Sequence, residues 1–265
     1  MIRPQDPRIL NLAPPAELQG TVQKNYLNYL QQLNRRHLDK RPRELDLSAR
    51  IAVYDLATRM QSAADEALDL SRETEETKNL YGMDDAATAD YGARCLIARR
   101  LVERGVRFVQ IYTSNQLWDH HGNIRSSLPS ACRKVDKPSA ALLTDLKRRG
   151  LLDSTVVHWG GEMGRLPVIQ FRSGLSDRNT VGRDHNTYGF SQWVAGGGFR
   201  KGYTHGLTDE FSHHAIDGIV NHYDWLATIL HLFGLNHKEL KFRSGSRDIR
   251  LVEESHARVV HELFS

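Results

Sequence analysis

The 265 residues are 40% hydrophobic and 26% charged, an ordinary soluble composition with enough apolar content for one substantial core. The formal net charge of +4 is spread along the chain, and basic residues are not interleaved with aromatics, which argues against a nucleic-acid partner and leaves an anionic substrate compatible. Cys95 and Cys132, the two cysteines, supply neither a disulfide framework nor Cys/His metal spacing, and no apolar run reaches membrane-spanning length.

Residues 1–15 are rich in proline and polar groups and read as an extended lead-in. Leu18, Val22, Tyr26, Leu30 and Leu33 then fall on one helical stripe, predicting a helix over 15–38. A second helix is expected over 45–67, opening in a capping sequence at Asp46 or Ser48, and a third over 88–104, stopped by Gly105. Residues 71–87 read as irregular. The run Val106 to Tyr112 is β-branched and aromatic and predicts a strand.

Helix returns over 137–149, where Lys147, Arg148 and Arg149 suit the negative end of the dipole. Strands are expected at 154–158 and 191–195, the latter closed by Gly196, Gly197 and Gly198, and a last helix at 223–233. Strands alternating with helices predict an α/β/α sandwich built on a mostly parallel sheet. The expected organisation is a single domain over 1–265, with 1–104 a mainly helical covering segment and 105–265 an α/β core carrying the ligand loops.

In such sheets chemistry gathers beyond the strand ends. Asp119 and His121 follow the first predicted strand, and Glu162 and Arg165 follow the second. Asp184 and His185 precede the third. Carboxylates and imidazoles repeated at three such places suit a divalent metal: zinc, manganese or calcium. Arg165 could hold a sulfate or phosphate in a two-pronged grip. Each feature also has a plain structural account: a polar turn for Asp119 and His121, and a loop-pinning Asp-His pair for Asp184 and His185. His158 reads as a core histidine, His213 and His214 as exposed, His222 as a helix cap, and the glycine triplet as a tight turn rather than an anion nest.

The ordered set Trp118-Asp119-His120-His121, Trp159-Gly160-Gly161-Glu162-Met163-Gly164-Arg165, Gly182-Arg183-Asp184-His185-Asn186, Ala195-Gly196-Gly197-Gly198 and Thr208-Asp209-Glu210 resembles the sulfatase-like family catalogued as domain of unknown function 1501, of the alkaline phosphatase superfamily. Asp69 to Thr74, Gly150 to Thr155 and Ala227 to Leu232 match it too. The resemblance implies a metal site in which Asp119 and His121 form the first carboxylate-histidine pair and His185 completes it. Glu162 matches a carboxylate for a second metal, and Asp184 a neighbour that ligates or orients His185. It also implies that the family is longer at its N-terminus, so that this chain corresponds to a C-terminal portion.

The activity so implied is metal-dependent hydrolysis of sulfate or phosphate esters, with a sulfated or phosphorylated molecule as partner and the nucleophile supplied elsewhere; Thr113 and Ser114 have weak claims. The alternative is a non-catalytic remnant or metal-binding structural protein without the N-terminal catalytic segment. A carbohydrate- or polymer-binding surface built on Trp118, Trp159, Trp193 and Trp225 is a third class, for which core packing is the simpler use of the rings. The chain as written, with Ile-Arg-Pro-Gln-Asp-Pro after Met1, reads as cytoplasmic, whereas longer relatives would be exported.

Overall fold

A computed structural model describes residues 2–6, 8–9, 12, 14–41, 44–113, 116–170, 180–252 and 256–264. Six α-helices are described: α1 (Thr21–Asp39), α2 (Leu45–Leu68), α3 (Glu75–Leu80), α4 (Ala89–Glu103), α5 (Ile124–Arg148) and α6 (His222–Leu232). The strands are short: β1 (Val157–Trp159), β2 (Gly164–Arg165), β3 (His185–Asn186), β4 (Trp193–Ala195), β5 (Leu207–Thr208), β6 (Ala215–Asp217), β7 (Lys241–Ser244) and β8 (Arg247–Arg250). Two compact units result, residues 1–112 with 134–142, and residues 113–133 with 143–265. Among the described residues no helix is long and apolar enough to cross a membrane.

The expected α/β/α sandwich is not formed. In place of a parallel sheet, the described strands make four separate two-stranded antiparallel ribbons, β1 with β4, β2 with β3, β5 with β6 and β7 with β8. The physical reason lies in the connections. A parallel pair needs a crossover of a dozen or more residues, usually a helix. Between β1 and β4 the described residues carry only β2 and β3, so the chain returns antiparallel. The expected strand over 106–112 is described and joins no ladder; Phe108 and Tyr112 stay exposed. Its β-branched and aromatic residues favour extended backbone, but that preference supplies no partner.

In the first unit α1 buries none of its residues, and Val22, Tyr26 and Leu33 of the expected apolar stripe remain exposed. Gln31 Nε2 donates to Asp55 Oδ1 at 3.1 Å, linking α1 to α2. The core forms farther along, from Ala67, Leu68, Leu70, Tyr81, Cys95, Leu96 and Ile97. A buried ion network fastens it. Arg99 Nη2 donates to Glu73 Oε2 at 2.8 Å and Nη1 to Glu103 Oε2 at 2.8 Å, while Arg100 Nη1 pairs with Glu73 Oε1. Arg100 also donates from Nε to the Ala67 carbonyl and from Nη2 to the Glu66 carbonyl, both at 2.7 Å, so a side chain of α4 caps the carbonyl end of α2. The segment 71–87, expected to be irregular, contains α3, capped by Thr74 Oγ1 accepting from the Thr77 N–H at 3.1 Å.

α5 begins well before the expected position 137 and runs through Pro129 and Pro138. Its first residue follows Asn123, which takes the left-handed conformation at φ 52° and donates its N–H to the Thr180 carbonyl at 3.1 Å. In the second unit α6 opens with a capping box: Asn221 Oδ1 accepts from the Asp224 N–H at 2.8 Å, and Asp224 Oδ2 accepts from the Asn221 N–H at 3.2 Å. The cap is thus Asn221, and His222 is the first helical residue. Ala227, Val252 and Ala257 form a core cluster against this helix, with Tyr223 and Leu230 packed on it. Thr228, fully buried, donates to the Asp224 carbonyl at 2.7 Å and accepts from the Val260 N–H at 3.0 Å. The three glycines after β4 have positive φ and form a tight turn; a Cβ on Gly196 would meet the Leu152 and Thr155 carbonyl oxygens at 2.3 Å.

A candidate metal centre of two histidines and an aspartate

The site lies within the second unit, where segment 116–123 is stitched along segment 180–185. Gly122 and Val181 form an antiparallel bridge, the Ile124 N–H donates to the Val181 carbonyl at 3.1 Å, and the Arg183 N–H donates to the His120 carbonyl at 3.0 Å. The approach is so close that a Cβ on Gly182 would fall 2.1 Å from the His121 carbonyl carbon. Only glycine permits this seam. Gln116 and Asn123, at φ 45° and 52°, bracket the loop with two left-handed non-glycine residues, the kind of local cost that structures retain around functional segments.

A second stitch brings in Arg165. β2 pairs with β3 so that Arg165 faces His185 across the ribbon. The Leu166 N–H donates to the Asp184 carbonyl at 2.8 Å and the Gln170 N–H to the Gly182 carbonyl at 2.9 Å.

These contacts place one ligand atom from each of Asp119, His121 and His185 within 4.8 Å of the others. Asp119 Oδ1 lies 3.0 Å from His121 Nε2 and 3.0 Å from His185 Nε2, and the two Nε2 atoms are 3.2 Å apart. Donor atoms around one zinc-sized ion at about 2.0–2.1 Å stand about 3.0–3.4 Å from one another. The triangle therefore fits a small divalent ion, and two imidazoles with one carboxylate suit zinc and the first-row metals.

His121 Nδ1 is 2.8 Å from Gln170 Oε1. With the Gln170 carbonyl oxygen as acceptor, Nδ1 donates and Nε2 is left to turn its lone pair toward an ion in the triangle. Arg165 Nη2 donates to Asp119 Oδ1 and, at 3.0 Å, to the Trp118 carbonyl; Nη1 donates to the Arg183 carbonyl at 3.2 Å. The guanidinium thus ties both ligand-bearing segments together. The His185 hydrogen bond, then that from Arg165 and the latter's charge, hold the Asp119 carboxyl far below the usual carboxylate range. Burial, aided by Arg165, pushes His120 down, so this neighbour of the ligands favours the neutral form, and its buried Nε2 has no partner among the described residues.

Asp184 stands at the margin. Its Oδ1 accepts from the His185 N–H at 2.8 Å and lies 3.9 Å from His121 Nδ1. Glu162 is exposed in a bend after Gly161 and does not belong to the triad. His158, expected in the core, is exposed; its Nε2 lies 2.8 Å from Gln192 Oε1 and its ring packs on Trp225. His214 is exposed and His213 half-buried. Ser114 lies outside the described residues. Gln170 escaped the sequence reading because a neutral amide carries no metal signature; its one signal is a polar residue ending the apolar run Leu166 to Ile169.

A family model described as protein of unknown function (DUF1501) matches residues 1–264, and the chain belongs to that family. No curated protein and no solved structure matches it.

Proposed function

We propose that this protein is a metal-dependent hydrolase of sulfate or phosphate esters, with Asp119, His121 and His185 as the ligands of one divalent ion. The observation that carries the reading is the donor triangle, with edges of 3.0–3.2 Å. The resemblance to the alkaline phosphatase superfamily supports the reaction class. When bound, the ion supplies a Lewis acid for an ester oxygen. Around it, Gln170 fixes the tautomer of His121, Asp184 holds the backbone of His185, and Arg165 keeps Asp119 ionised and in place. A carboxylate has about four lone-pair sites, so Asp119 can serve Arg165 and an ion together. Arg165 also brings positive charge to the edge of the triad, where an anionic ester would need it.

A second reading rests on the same guanidinium. Arg165 commits N–H groups to Asp119, Trp118 and Arg183, as a residue holding a purely structural metal site would. Elemental mass spectrometry on wild type, Asp119→Ala and His185→Ala separates the cases when paired with assays on p-nitrophenyl sulfate and p-nitrophenyl phosphate. About one ion per chain, lost in both variants, with hydrolysis abolished by chelator, is the expected result. An ion without hydrolysis selects the structural reading. Metal-free, folded wild type that takes up no added metal sinks both.

A further inference from the structure

β7 and β8 form a hairpin closed by Gly245 and Ser246, with Gly245 at φ 60°. Every residue of β7 is exposed, and of β8 only Ile249 is half-buried. Among the described residues neither strand pairs with any further strand. A two-stranded ribbon left this open is marginal in water until a third strand or a packed layer joins it. Its charges also work against it. Lys241 and Arg250 are direct cross-strand partners, and like charges so placed destabilise a ribbon. Arg243 shares their face two residues on, where its Nη1 donates to Asp248 Oδ1 at 2.9 Å. Among the described residues neither Lys241 nor Arg250 has a carboxylate partner. One charge on an edge is enough to discourage stray pairing, whereas three cations on one small face call for an anionic counterpart.

The alternation of the ladder decides how that counterpart is received. Ser244 and Arg247 flank the turn, so the bonded pairs are theirs and that of Phe242 with Ile249. The intervening Lys241 and Arg243 then turn their N–H and C=O groups to the free edge of β7. Phe242, 46% exposed, stands on the opposite face from the two cations. A strand of alternating acidic and apolar residues matches all three features. Its main chain bonds at the edge, its carboxylates lie beside Lys241 and Arg243, and its apolar side chains lie beside Phe242. The edge of β8 suits it less well, because Asp248 stands there with Arg250. A second copy of β7 would again set cation against cation. A nucleic acid would answer the cations and leave the open edge and Phe242 unmatched.

We propose that the free edge of β7 is a docking site for an extended acidic segment of a partner protein, which adds to the hairpin as a third strand. Lys241 and Arg243 select its carboxylates, and the open main chain selects its extended form. The proposal does not depend on the metal centre.

The test titrates the full chain into a short fluorescent peptide that alternates glutamate and valine, read by anisotropy. Its controls are the same residues with the glutamates in one block, a version N-methylated along the main chain, a lysine-valine peptide, and a single-stranded oligonucleotide of equal charge. The alternating acidic peptide should bind at least about tenfold tighter than the blocked and N-methylated ones. Lys241→Glu combined with Arg243→Glu should abolish that binding and confer binding of the lysine-valine peptide. Should this double variant unfold, Lys241→Ser combined with Arg243→Ser takes its place and should weaken binding about tenfold. No binding, equal binding of the N-methylated peptide, tighter binding of the oligonucleotide, or indifference to the double variant overturns the proposal. Self-association of the chain that the double variant abolishes also overturns it, and assigns the edge to a second copy.

Discussion

His121 Nδ1 faces Gln170 Oε1 at 2.8 Å, a contact that, with the amide oxygen accepting, leaves Nε2 as the nitrogen free to bind a cation. Gln170→Leu should weaken metal binding about 10- to 100-fold with little change in the fold, because the ring loses both its orientation and its tautomer preference. Gln170→Glu should restore most of it, since a carboxylate accepts the same proton. Competition with a fluorescent chelator measures both. Equal affinity in wild type and Gln170→Leu would show that the contact does not position His121.

The Glu73 network makes the first unit sensitive to acid. Burial pushes the Glu73 carboxyl up, but hydrogen bonds from Arg100 and Arg99 and their charges outweigh it and leave the group below its ordinary value. A carboxylate depressed on folding contributes its full stability above the unfolded value of about 4.3. That contribution is lost as pH falls through the folded value. Urea melts between pH 3 and 7 should show wild type losing more stability on acidification than Glu73→Gln. At pH 7 the variant should be less stable by about 3 kcal/mol, the low end for a broken buried pair, because Glu103 still answers Arg99. Parallel pH curves would exclude Glu73 as the titrating group.

Thr228→Val keeps shape and volume but leaves the buried Val260 N–H without its acceptor. The expected cost is about 1–3 kcal/mol, read from the urea midpoint. A neutral outcome would mean that the 256–264 segment finds another partner for that N–H.

The two cysteines should react very differently. Burial pushes the Cys95 thiol up to about 12, against a smaller opposing pull from Arg94, whereas Cys132 is exposed on α5. A thiol-reactive chromophore should therefore label one cysteine in the native protein and two in denaturant. Two fast native thiols would show that α4 opens readily.

Local structure was legible where one helix face or one cap decides it. α2, α4 and α6 fall within a residue or two of their expected bounds. α5 was read too short: its first thirteen residues, 124–136, precede the expected start at 137, and the helix runs through Pro129, which is exposed, and Pro138, which is fully buried. The two strand runs later seen as β1 and β4 were found, but their direction was not, since the residues of a strand do not encode the direction of its neighbour. Of the site, Asp119, His121, Arg165 and His185 could be read from residue type and motif order. Gln170 and Gly182 could not: one acts through a neutral amide and the other by having no side chain at all.

The seam at Gly182 joins parts of the chain that the sequence keeps far apart: His121 and His185 are 64 positions from each other. In the unfolded chain the three ligands would share no ion, because bringing them together closes a long loop at an entropic cost. An ion held here is then a reversible cross-link, and at a hundred times its dissociation constant it adds about 2.7 kcal/mol to the folded state. Melting temperature of the second unit would rise with the metal supply, making the site a clasp on the fold as well as a place for chemistry.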